Sequence, residues 1–85
     1  MAEFTKRLDS PEGSLIFIFN RVPAINGLIF FITVFKRGMP VHFHMEKRNE
    51  EWKIIESTRV TEVILQLEGQ LARTIEENHN KTFRQ

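Results

Sequence analysis

The run from His42 to Glu46 is the part of the sequence whose residue types and spacing could best support chemistry. Side chains of a β-strand alternate between the two faces of a sheet, so His42, His44 and Glu46 would share one face. Two imidazoles and a carboxylate are ligands that Zn²⁺ or Fe²⁺ accept. Lys53, which we expect beside His44 on the next strand, would repel a cation. We therefore keep the three residues as a candidate metal site, and we favour the simpler interpretation of two histidines on a mixed or interfacial face.

The rest of the chain gives no pattern that is typical of an enzyme. Cysteine is absent, which excludes thiol nucleophiles, thiolate metal sites and disulfides. We find no nucleophile elbow, phosphate-binding loop or converging acid–base pair. The sequence therefore predicts a protein that is not an enzyme and that needs no cofactor.

The composition indicates a small globular domain with almost no net charge. Among 85 residues, 41% are hydrophobic, and 12 basic and 11 acidic side chains leave a formal charge of +1. This balance gives no general electrostatic attraction to nucleic acid or to an anionic membrane. The longest apolar stretch, from Leu28 to Phe35 with Thr33 inside it, is far shorter than the roughly 20 residues of a membrane span. We expect one soluble domain over residues 1–81, a frayed tail over 82–85, and no binding to nucleic acid or membrane.

The start of the chain, from Met1 to Lys6, lacks the apolar segment that is typical of a signal peptide. The absence of cysteine also fits a reducing compartment. We therefore expect a cytoplasmic location.

Alternating hydrophobic residues and turn signals divide the first 57 residues into five strands. Pro11 and Gly13 mark the first turn, and an Asn26-Gly27 pair marks the second. The predicted strands are Glu3–Leu8, Ser14–Val22, Leu28–Lys36, Val41–Glu46 and Glu51–Ser57. Short loops between successive strands predict an antiparallel meander.

A helix follows, predicted over Thr58–Asn80 with Ser57 or Thr58 as its N-cap. Its apolar residues recur at the spacing of a helix with one buried face. They are Val60, Val63, Ile64, Leu67, Leu71 and Ile75. Gly69 lies on the polar side, as either a tolerated exposed glycine or a point of close approach by a partner. The predicted fold class is α+β, with a four- to five-stranded antiparallel meander packed against one C-terminal α-helix.

Pairing the strands outward from four-residue turns at 23–26, 37–40 and 47–50 predicts the two faces of the sheet. The expected cross-strand pairs include Phe17–Ile32, Val34–Phe43 and Met45–Trp52. One face would form the core beneath the helix, with Leu15, Phe17, Phe19, Leu28, Phe30, Ile32, Val34, Val41, Phe43, Met45, Trp52 and Ile54. The opposite face collects Ile16, Ile18, Ile29, Phe31, Phe35 and Ile55, with Asn20, Thr33, His42, His44 and Lys53 around them.

The apolar residues of this opposite face would form an unusually large exposed patch, because one helix cannot cover both faces of the sheet. We expect it to be buried against another copy of the chain, since a two-fold dimer is the commonest closed assembly. The predicted function is a non-catalytic protein-interaction module. The alternatives are a carrier or sensor of a small apolar ligand with His42 and His44 as polar contacts, a different protein partner, or a sheet that curls in a monomer.

Overall fold

A five-stranded antiparallel sheet is followed by two C-terminal helices in the computed structural model, which describes residues 4–24, 27–55 and 60–83. The strands are β1 (Phe4–Ser10), β2 (Gly13–Ala24), β3 (Gly27–Lys36), β4 (Met39–Arg48) and β5 (Glu51–Ile55). Each strand pairs with the next along the chain, so the spatial order is β1-β2-β3-β4-β5. The predicted α+β class and antiparallel meander are therefore confirmed.

Turns of two residues join β3 to β4 and β4 to β5. Arg37 and Gly38 have φ values of 53° and 80°, and Asn49 and Glu50 have φ values of 51° and 70°. Two consecutive left-handed residues match the twist of antiparallel strands, which is why this turn is common in tight hairpins. The predicted four-residue turns at 37–40 and 47–50 are wrong. In each case the flanking strands extend further than predicted and leave only two residues in the turn.

The shorter turns change the pairing of the strands by two residues. Phe17 lies opposite Val34, Phe43 opposite Ile32, and Met45 opposite Ile54. The predicted pairs were therefore wrong at all three hairpins. A shift of two residues nevertheless keeps every side chain on the same face, because strand side chains alternate with a period of two.

The core lies between one face of the sheet and the helices. Its sheet residues are Leu8, Leu15, Phe17, Phe19, Phe30, Ile32, Val34, Phe43, Met45, Trp52 and Ile54, and its helical layer adds Ile64, Leu67, Leu71 and Ile75. Phe4 and Val41 are partly buried and pack against it. Ten of the twelve residues predicted for this face are buried; Val41 is at its margin, and the Leu28 side chain lies outside the described part of the structure.

The predicted single helix is divided into α1 (Glu62–Gln66) and α2 (Glu68–Phe83). Leu67 interrupts it with φ −91° and ψ 0°, and its N–H donates to the Ile64 carbonyl at 3.0 Å, a tighter turn than an α-helix makes. Leu67 remains 4% exposed, so the interruption keeps the apolar stripe on the core. Gly69 accordingly lies in the first turn of α2, where a glycine costs less than in a helix interior.

Thr61 occupies the N-cap position of α1, but its side chain makes no capping hydrogen bond; its Oγ1 atom instead accepts a bond of 3.4 Å from Lys36 Nζ. The predicted caps Ser57 and Thr58 lie outside the described residues. At the other end, α2 extends to Phe83, three residues beyond the predicted end at Asn80.

Leu71→Ala tests the packing of α2 on the sheet. Leu71 is fully buried, so we expect a loss of about 2–5 kcal/mol in the free energy of unfolding, measured with urea. Leu65→Ala is the matched control, because Leu65 is 37% exposed on the same helical layer and should lose less than about 1 kcal/mol. Equal losses would contradict the observed orientation of the helices.

Glu50→Gly tests the tight turn between β4 and β5. Glu50 adopts a left-handed conformation that glycine adopts without steric cost, so we expect a gain of about 0.5–1 kcal/mol in unfolding free energy. Glu51→Gly, at the first position of β5, should instead lose about that amount. A loss at both positions in urea unfolding would argue against the two-residue turn.

Candidate functional site

The candidate site lies on the face of the sheet that points away from the helices. We call this face the outer face. All six residues predicted for a dimer or ligand surface share it: Ile16, Ile18, Ile29, Phe31, Phe35 and Ile55. One row of paired residues crosses four strands, from Asn20 through Phe31 and His44 to Ile55. The tight hairpins thus bring apolar side chains of β2, β3 and β5 onto the same face as the two histidines of β4.

Large apolar side chains are solvent-exposed on this outer face. Ile16 is 50% exposed, Phe35 52% and Val22 38%, and these are three of the five large hydrophobic residues that are exposed in the described part of the chain. Ile18, Ile29, Phe31 and Ile55 are half-buried. Sequence reasoning missed Val22 as a member, although its spacing of two from Asn20 was the signal that could have placed it.

Two histidines lie at the centre of the outer face and both contact Phe31. The ring of His42 stacks on Phe31 at 5.2 Å between centroids and an angle of 17°. The ring of His44 meets Phe31 at 5.0 Å and 58°. A hydrogen bond of 2.9 Å joins Thr33 Oγ1 to His42 Nδ1. Both imidazoles are therefore oriented by β3 while remaining exposed to solvent.

Glu46, the third member of the candidate metal site, has other partners. It forms an ion pair with Arg48 on its own strand. Lys53 lies opposite Glu46, and Ile55 takes the place opposite His44 where we predicted Lys53. Within residues 4–24, 27–55 and 60–83, no three histidine, aspartate or glutamate side chains gather in an arrangement that could hold a metal ion.

A cleft lies between β5 and α2. This cleft has a volume of about 260 Å³. It is lined by Glu50, Glu51, Trp52, Lys53, Glu68, Gly69, Ala72, Arg73 and Glu76. Its rim is charged, and it lies away from the outer face, where the hypothesis of an apolar-ligand carrier would require a pocket.

Gly69 borders this cleft, and a methyl group added there would meet no atom within 4 Å. The glycine is therefore exposed, and no described segment of the chain approaches it closely.

Glu68 closes the free edge of β5. Its Oε2 atom accepts a hydrogen bond of 2.9 Å from the Ile54 backbone N–H, and its Oε1 atom lies 3.9 Å from Lys53 Nζ. An edge strand normally leaves such N–H groups available for pairing with another chain. The carboxylate at the start of α2 therefore occupies a position where a sixth strand would bind.

Comparisons with known proteins add no identification. No protein-family model, curated protein or solved structure matches the chain. In the part of the chain that the structure describes, neither helix combines the length and hydrophobicity of a membrane span.

Glu68→Ala tests the closure of the β5 edge. The change removes the acceptor of the Ile54 N–H, so we expect a loss of about 1–3 kcal/mol in unfolding free energy together with faster amide exchange at Ile54. Glu68→Gln is the matched control, because its amide oxygen can accept the same bond. Unchanged exchange in the alanine variant would contradict the role of Glu68.

Proposed function

We propose that this protein is a non-catalytic interaction module that self-associates through its outer face. The observation that carries the proposal is the set of exposed apolar side chains on the outer face. Ile16 and Phe35 lie at one end of the β2–β3 pair and Val22 at the other, with four half-buried apolar side chains on the same surface. Exposed apolar surface of this kind marks interaction sites in soluble proteins. Both described helices pack on the other face and leave this one uncovered.

The size of the outer face fits a modest dimer. Five strands about 4.8 Å apart, each contributing about seven residues at 3.4 Å, span a flat area of roughly 500–600 Å². Stable complexes bury about 800 Å² per partner, and weaker ones bury less. Protruding side chains add to the flat area, so we expect a dissociation constant on the order of 1–100 µM.

Charge also permits self-association. The formal charge of +1 gives two copies almost no mutual repulsion. On the outer face, Arg7 lies at one corner, and Glu46 and Lys53 lie opposite each other near the diagonal corner. Charged residues of both signs thus lie at the margin of this face, around Phe31 and the two histidines, and such a polar rim is usual in protein interfaces.

A second copy is a better occupant than a small apolar ligand. Ligand sites are concave and enclose most of the ligand surface. The cleft between β5 and α2 has a charged rim. The exposed apolar residues Ile16, Val22 and Phe35 do not line it, because they lie on the outer face.

Phe35→Glu and Ile16→Glu test the proposed dimer. Both side chains are about half exposed in the isolated chain, so either change should leave the fold intact. Each change places a charge in the interface on both copies, and we expect the dissociation constant to rise at least ~10-fold in a sedimentation dilution series.

Leu65→Glu is the control for this experiment, because Leu65 is an exposed leucine on α1, away from the outer face. It should dimerise like the unaltered protein. A wild-type protein that stays monomeric at about 1 mM would overturn the proposal, and so would an equal loss in all three variants.

A further inference from the structure

The two histidines occupy the centre of the surface that self-association would bury. His42 and His44 both contact Phe31, and Ile55 lies directly opposite His44 on β5. Histidine is the side chain that ordinarily changes charge between about pH 5 and about pH 8. A dimer through the outer face would therefore bury up to two titratable rings from each copy.

The isolated chain can hold these rings in either charge state. The Thr33 hydroxyl can donate a hydrogen bond to a neutral Nδ1 atom of His42 or accept one from a protonated Nδ1. The stacking of His42 on Phe31 is also compatible with a positive ring, because the face of an aromatic ring attracts cations. Protonation should thus leave the sheet folded.

Charged groups around the histidines offer little compensation for a buried positive charge. On β4, Glu46 follows His44 on the same face, but it is already paired with Arg48. On β5, Lys53 lies opposite Glu46, and its ammonium group is 3.9 Å from Glu68 Oε1, so it supplies no negative charge to the histidines. The β3 and β2 neighbours in the same rows are Phe31, Thr33, Ile18 and Asn20, which carry no charge.

We propose that protonation of His42 and His44 dissociates the dimer, so that self-association through the outer face is switched by pH. The inference rests on the proposed function. Neutral rings can be buried against a partner, whereas a charged imidazolium loses its hydration, and the neighbouring carboxylate on β4, Glu46, is already paired with Arg48. Dissociated chains then bind more protons than the dimer, so by linkage the dissociation constant rises as the pH falls.

The experiment measures the dissociation constant by sedimentation at about pH 8 and at about pH 5, a range that spans histidine titration. Each proton taken up on dissociation contributes up to tenfold per pH unit, and we expect at least a ~10-fold weaker dimer at the lower pH. Urea unfolding at both values reports whether the chain itself stays folded.

Two variants identify the residues responsible. The double variant His42→Gln/His44→Gln should dimerise with a dissociation constant that does not change with pH. His79→Gln should keep the full dependence, because His79 belongs to α2 and is the third histidine of the chain.

The possible results separate the two proposals. A dimer of equal strength at both pH values overturns the switch and supports the self-association proposed above. A monomer at both values overturns both proposals. A pH dependence that persists in the double variant also overturns the switch, because other groups must then carry it.

Discussion

The constraint on which the rest of the structure depends is that the helices cover only one face of a sheet whose strands β2 and β3 are rich in apolar residues on both faces. On β3, Phe30 and Ile32 are buried beneath the helices, while Phe31 between them points to the outer face. Burying the first set organises the fold, since it brings the fully buried Leu71 and Ile75 of α2 onto the sheet. Phe31 and the other apolar residues of the outer face remain on the surface, and burying them would release further hydrophobic free energy.

Charged groups at the two edge strands of the sheet oppose pairing with another chain, whereas the outer face has exposed apolar residues. At β5, the Glu68 carboxylate takes the Ile54 N–H that an added strand would need. At β1, Lys6 lies opposite Phe17 and thus on the helix side of the sheet, yet it remains exposed. A charged side chain that points inward from an edge strand opposes pairing with another strand. Extension of the sheet by a further strand is therefore opposed at both edges, which supports the proposal that association uses the outer face.

Residue alternation was sufficient to predict the faces of the sheet, but the turns and the helix break needed more than the sequence showed. The sequence places Arg37-Gly38 in a turn, yet it does not reveal that Arg37 accepts a left-handed conformation, and the same is true of Glu50. Each turn was therefore predicted two residues too long, an error that alternation tolerates. The interruption at Leu67 has no glycine or proline to mark it; it is set by tertiary packing, which keeps Leu67 in the core.

The register of the strands determines which residues His42 and His44 contact, and so bears on whether the two histidines are placed as metal ligands or as part of a protein-binding surface. As metal ligands, His42 and His44 would have to turn toward a common ion, and both rings instead contact Phe31. The carboxylate that would complete the set, Glu46, is paired with Arg48 and lies opposite Lys53. Sequence spacing could place the three on one face, but it could not show these contacts, because they depend on the cross-strand neighbours. With His42 stacked on Phe31 and His44 tilted against it, the two rings present a surface that a second protein can cover, and their remaining nitrogen atoms can supply polar contacts within it.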